Sequence, residues 1–142
     1  MIGPQTGKDA IAFAPQALTH GATASAALDT IGADYASIRI TLASEANTNA
    51  TGPTISLLQS DDTVVTNHAT ITADRAAEDI TAAKVLTYHV DLRGKKRYLR
   101  LTVTPPSGST NNNITAGALS TLSRQVEAPG ATTDMADAAV IV

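Results

Sequence analysis

Three stretches of this chain alternate apolar and polar residues with a period of two. In Tyr35–Ala43, Ala36, Ile38, Ile40 and Leu42 alternate with Ser37, Arg39 and Thr41. In Val85–Leu92, Leu86, Tyr88, Val90 and Leu92 alternate with Thr87, His89 and Asp91. In Arg97–Thr104, Leu99, Leu101 and Val103 alternate with Tyr98, Arg100 and Thr102. A β-strand turns successive side chains to opposite faces, so each stretch reads as a strand with one buried and one wet face. The short basic turn Arg93–Lys96 between the last two predicts an antiparallel hairpin.

The remaining segments fit the same class. Ala24–Thr30 places Ala24, Ala26 and Leu28 on one face. Thr54–Gln59 places Ile55 and Leu57 together, and Leu58 on the other side suggests cover on both faces. Val64–Thr66 reads as a return partner for that strand, and Ile114–Val126 as the final strand. Turn formers separate them at Ile31–Asp34, Ser44–Pro53, Ser60–Thr63 and Pro105–Asn113. Thr70–Lys84 stays open between a short helix capped by Asp74 and an irregular connection, because Ile80 is the one large apolar residue of its ADRAAEDITAAK segment. Seven or eight short strands without a βαβ rhythm predict an all-β, antiparallel β-sandwich or barrel. Residues 1–22, with Pro4 and Pro15, read as an extended N-terminal arm carrying a short strand near Asp9–Ala14. Residues 23–126 form the sandwich, and 127–142 a C-terminal tail.

Composition narrows the chemistry. With 142 residues and no Cys, one core is possible, and disulfides and thiolate metal sites are excluded. The net charge of −3 argues against a dedicated nucleic-acid binder. No apolar run approaches a membrane span, and the N-terminus lacks the basic-then-apolar order of a signal peptide. Ala supplies 26 residues and Thr 21, so the core is thin and packing against neighbouring copies or a larger surface is expected to stabilise it.

Catalytic, metal and cofactor motifs are not found. Asp61 and Asp62 are adjacent and read as turn formers. His20, His68 and His89 share no ligand spacing, and no Ser lies in a nucleophile elbow. The strongest local feature is basic: Arg93, Lys95, Lys96, Arg97 and Arg100 fall in one short run. It reads as a solvated edge that discourages aggregation, as a docking patch for an acidic protein surface, or as a short nucleic-acid contact that the acidic remainder of the chain disfavours. Arg39 and Arg100 lie on polar phases and are expected to extend that patch. The apolar C-terminal run with Val140, Ile141 and Val142 either adds to a neighbouring chain or folds back on its own sheet edge. Ile11 and Phe13 pose the same choice in the N-terminal arm. Tyr88 is expected inward, leaving Tyr98 and Tyr35 as the aromatic platforms a glycan-binding module would use.

The ordered segments Asp29-Thr-Ile-Gly-Ala-Asp-Tyr-Ala-Ser-Ile, Ile55-Ser-Leu-Leu-Gln-Ser-Asp-Asp, the Asp-Leu-Arg-Gly and Arg-Tyr-Leu-Arg-Leu-Thr-Val-Thr of Val85–Thr104, and Arg124-Gln-Val-Glu-Ala-Pro resemble a family of small tailed-bacteriophage virion proteins. The resemblance covers about residues 24–129. It implies a jelly-roll-like sandwich on the exterior of the phage capsid, a decoration or cement protein that binds the major capsid protein, often as a homotrimer, with no catalytic residues, cofactor, nucleic acid or membrane involved. Two departures stand out: Thr63-Val-Val-Thr-Asn-His follows the Ser-Asp-Asp turn where an aromatic is common, and ADRAAEDITAAK is inserted. The second reading is a recognition module of a phage tail or fibre.

Overall fold

A computed structural model describes residues 7–19, 21–44, 53–71, 75–76, 83–106, 113–124 and 138–141. Ten strands run in chain order: β1 Gly7–Leu18, β2 Ala24–Asp29, β3 Tyr35–Ser44, β4 Thr54–Ser60, β5 Ala69–Thr70, β6 Arg75–Ala76, β7 Lys84–Asp91, β8 Tyr98–Thr104, β9 Ile114–Ser123 and β10 Ala138–Ile141. Among the described residues there is no α-helix, only a single 3-10 turn at Val65–Asn67. One sheet has the order β1-β9-β3-β7-β10, antiparallel except for β10, which lies parallel to β7. The other has the order β2-β8-β4-β5, with β6 also paired to β4. The chain is therefore all-β, two largely antiparallel sheets packed as a sandwich.

The alternation seen in the sequence is what builds the core. Ala36, Ile38, Ile40 and Leu42 of β3 and Leu86, Tyr88 and Val90 of β7 face Leu99, Leu101 and Val103 of β8 and Ile55 and Leu57 of β4, all in one buried cluster. Both sheets bury one phase and wet the other, which is why period-two patterning specifies them. Ser120 is the polar exception on the inward phase of β9. Its hydroxyl donates to Ala10 O at 3.0 Å, so the buried group is satisfied and β1 is tied to the sheet.

Four outcomes matter: three change an expectation, and the third decides between the two readings left open for the C-terminal run. First, β7 and β8 are not a hairpin. β7 pairs with β3 and β10, β8 pairs with β2 and β4, and the Arg93–Lys96 turn arches from one sheet to the other. Alternation tells which side of a strand is buried; it does not tell which sheet the strand joins. Second, the stretch expected as an arm is over Gly7–Leu18 a 12-residue edge strand on β9. Its pairing slips twice, between Ile11 and Phe13 and between Phe13 and Gln16. The slips put Ile11 outside and Phe13 inside, although i and i+2 share a face in a regular strand. Third, Ala138–Ile141 folds onto β7 of its own chain. Fourth, Val65–Asn67 forms the 3-10 turn, and the strand returning along β4 is Ala69–Thr70. Of the candidate helix, Arg75–Ala76 pairs with β4 as a strand; residues 72–74 and 77–82 lie outside the described residues, as do His20 and Val142.

Candidate functional site

The basic run lies at the end of the sandwich where β2, β4, β7 and β9 finish and β3 and β8 begin. Backbone hydrogen bonds lace the loops of this end together. Thr30 N–H donates to Arg97 O, Leu92 N–H to Asp34 O and Asp34 N–H to Ser123 O, at 3.0, 2.8 and 2.9 Å. The buried Thr30 hydroxyl adds a second donor to Arg97 O at 2.6 Å.

Most of the basic side chains found in the sequence already have partners here. Arg97 makes a two-point contact with Asp29, Nε to Oδ1 at 2.9 Å and Nη2 to Oδ2 at 2.7 Å, and its guanidinium lies 4.9 Å from the Tyr98 ring centre. Arg93 does the same with Asp91, at 2.9 and 2.7 Å, and lies 5.3 Å from the Tyr35 ring centre. Lys96 Nζ is 2.8 Å from Asp61 Oδ2. Planar guanidinium against carboxylate is the geometry such pairs favour. It holds the Asp29 and Asp91 carboxyls well down, each at about 2, chiefly through the Arg97 and Arg93 hydrogen bonds respectively. Both arginines are correspondingly raised. These groups are solvent-exposed, so the pairs fix geometry more than they add stability.

Arg124, directly after β9, closes the same end, with Nε donating to Gly32 O at 2.6 Å. Gly32 has φ +78°, which favours glycine, and a Cβ there would lie 2.9 Å from Arg124 Nη2 and displace that guanidinium. Asp62 serves the neighbouring turn as its type suggests. It accepts from Asn67 Nδ2 and Val64 N–H, both at 2.8 Å, and these bonds hold its carboxyl below the ordinary range, Asn67 foremost. His68 Nδ1 lies 2.8 Å from Val64 O in the same turn. Lys95 takes part through its backbone N–H, which donates to Leu92 O at 2.9 Å.

Arg100 and Arg39 do not extend one surface. Arg100 sits on the outer phase of β8, bonded to Ser25 Oγ at 2.9 Å and Thr63 O at 3.1 Å. Arg39 sits on the outer phase of β3, in the opposite sheet. The two outer faces of a sandwich point away from each other. Of the residues expected at subunit contacts, Phe13 is buried in the chain's own core and Ile11 is 69% exposed. Val140 and Ile141 pair through their backbones with Tyr88 and His89.

The outer face around Arg39 carries a feature not anticipated from sequence. An open trough of about 390 Å³ is lined by Ile11, Pro15, Arg39, Thr41, Val85 and Leu119 among others. Pro15 packs directly over Gly117; a Cβ there would meet Pro15 Cγ at 3.1 Å and Pro15 Cα at 3.2 Å. Ile11, Leu119, Arg39 and Thr87 follow one another across four strands in register. His89 lies one row along, 3.4 Å from Ser37 Oγ, and is pushed down first by burial and then by the Arg39 charge. Among the described residues no group of three or more His, Asp or Glu is placed to hold a metal ion. No family model, curated protein or solved structure matches the chain.

Proposed function

We propose that this chain is a structural protein of a phage virion, a decoration or cement protein that binds the major capsid protein on the outside of the shell and stabilises it, without enzymatic activity. The observation that carries the reading is the strand order. With β1-β9-β3-β7 in one sheet and β2-β8-β4-β5 in the other, each connection among β1, β2, β3 and β4, and again among β7, β8 and β9, crosses between sheets. That order supports the jelly-roll reading, an architecture used by viral capsid domains and also by lectins.

The four sequence segments that resemble phage virion proteins support the same reading. Their residues meet at the braced end, where Asp29, Gly32, Asp61 and Asp91 hold Arg97, Arg124, Lys96 and Arg93. A lectin-like module is the weaker alternative, because both candidate platforms, Tyr35 and Tyr98, already carry a guanidinium over the ring. A protein that binds the assembled lattice better than its separated parts stabilises the shell by mass action, and repetition over a symmetric shell multiplies weak contacts. The test is co-sedimentation with emptied, undecorated heads of the encoding phage, with the free protein's mass measured by light scattering. Saturable binding at a fixed ratio to shell protein supports the reading, and a trimer mass supports preassembly. No binding at any ratio refutes it.

A further inference from the structure

We propose that the outer face of the β1-β9-β3-β7 sheet, centred on the Arg39 trough, is the docking surface, and that its occupant is a segment of the shell protein in which a carboxylate lies beside a branched or aromatic apolar side chain. This rests on the decoration reading and names the chemistry of its contact.

Shape, apolar character and charge all point to this face. The trough lies where β1 shifts its pairing on β9 and Pro15 packs over Gly117, a residue without a side chain. Its rim is apolar and open: Ile11 and Leu119 are register partners, 69% and 41% exposed. Adjacent exposed aliphatics beside a concavity are the kind of feature that marks an interaction site. Arg39, register partner of Leu119, has no hydrogen bond or ion pair among the described residues. Arg93, Lys96 and Arg97 each have a carboxylate. Beside Arg39 in register, Thr87 is buried with its hydroxyl unpartnered. The face therefore offers a cation next to apolar surface, and its complement is an anion next to an apolar side chain.

Among the described residues, a second copy of this chain offers few carboxylates without a partner. Asp29, Asp61 and Asp91 are committed to Arg97, Lys96 and Arg93. Asp9 accepts from Thr121 at 2.6 Å, and Asp62 from Asn67 and Val64. Among the described carboxylates only Asp34 is left, and it belongs to the braced end.

The experiment compares wild type with R39E, L119T and K95E in co-sedimentation with undecorated heads, each protein's fold checked by circular dichroism and its mass by light scattering. Threonine keeps the strand preference at position 119, so L119T guards against a folding artefact at Arg39. R39E and L119T are each expected to weaken binding by about tenfold or more, the scale of a central contact residue, and K95E by less than about twofold. Wild-type binding by both R39E and L119T overturns the proposal and leaves the decoration reading standing. A reduced mass in R39E or L119T with head binding unchanged makes the face a contact between copies and also overturns it. Failure of the wild type to bind removes the decoration reading and this proposal together.

Discussion

The two ends of the charge story in this molecule are the braced loop end and the outer face of the β1-β9-β3-β7-β10 sheet. The loop end holds most of the basic run, yet Arg93, Lys96 and Arg97 each carry their own carboxylate, and Arg124 a backbone carbonyl. The outer face has far fewer charges, but Arg39 there makes no ion pair among the described residues and sits beside exposed Ile11 and Leu119. Density of charge in sequence is thus a poor guide to charge available for binding. Where partners are supplied within the chain, a basic run acts as bracing; a lone cation beside apolar surface is left to seek its partner elsewhere.

The largest expected effect sets inside against outside. Leu101→Ala, at a fully buried position, is expected to cost about 2–5 kcal/mol, whereas Leu119→Ala on the trough rim should stay within about 0.5 kcal/mol. Urea unfolding of the two variants measures the gap; equal costs would mean the rim is core.

Next comes the pair of glycines in the braced loops. Gly32 and Gly94 have φ +78° and +81°, but only at Gly32 does a Cβ meet another group, Arg124. Gly94→Ala is expected to cost about 1 kcal/mol from backbone conformation alone, and Gly32→Ala more, because the Arg124 bond to Gly32 O must shift as well. Equal losses in thermal melts would show that the Arg124 brace is slack.

The acid side of the stability curve tests the bracing in another way. Asp29 and Asp91 are held at about 2 in the folded chain, below the unfolded value of 3.8. A depressed folded pKa contributes stability that is present above the unfolded value and lost as pH falls through the folded one. Stability should therefore decline between about pH 4 and 2, and D29N should flatten that decline without moving the curve's slope above pH 5. Carboxyl carbon titration by NMR reads both residues directly; ordinary pKa values there would dissolve the brace.

The smallest effect belongs to exposed lysines. Lys96→Ala, which loses Asp61, is expected to destabilise by less than about 1 kcal/mol, and Lys95→Ala, which loses no side-chain partner, by less still. Their order in denaturant midpoints sharpens the distinction between paired and unpaired cations within one loop.

The strands themselves were legible, because burying one face of a sheet imposes period two on the sequence. The inward phases of β3, β7 and β8 appear there residue by residue, and so does inward Tyr88. What sequence does not carry is long-range. Arg97 meets Asp29 from 68 positions away and Lys96 meets Asp61 from 35, so the basic run was visible while its neutralisation was not. The arch was taken for a hairpin because a short turn between alternating strands serves either, and the hydrogen bonds that decide it come from Thr30 and Asp34. The trough was hidden for a similar reason. Ile11 and Phe13 share a parity that only a pairing slip can break, and Gly117 looks like any strand glycine until Pro15 lies over it.

Hydrogen exchange by mass spectrometry, on the protein free and bound to undecorated heads, tests the contrast between the two regions in one measurement. New protection over residues 9–15, 39–41 and 117–121, with residues 29–34 and 93–97 exchanging as in the free protein, is the predicted result. Protection gathered at 93–97 with the trough unchanged would contradict it, and would return the docking role to the basic run.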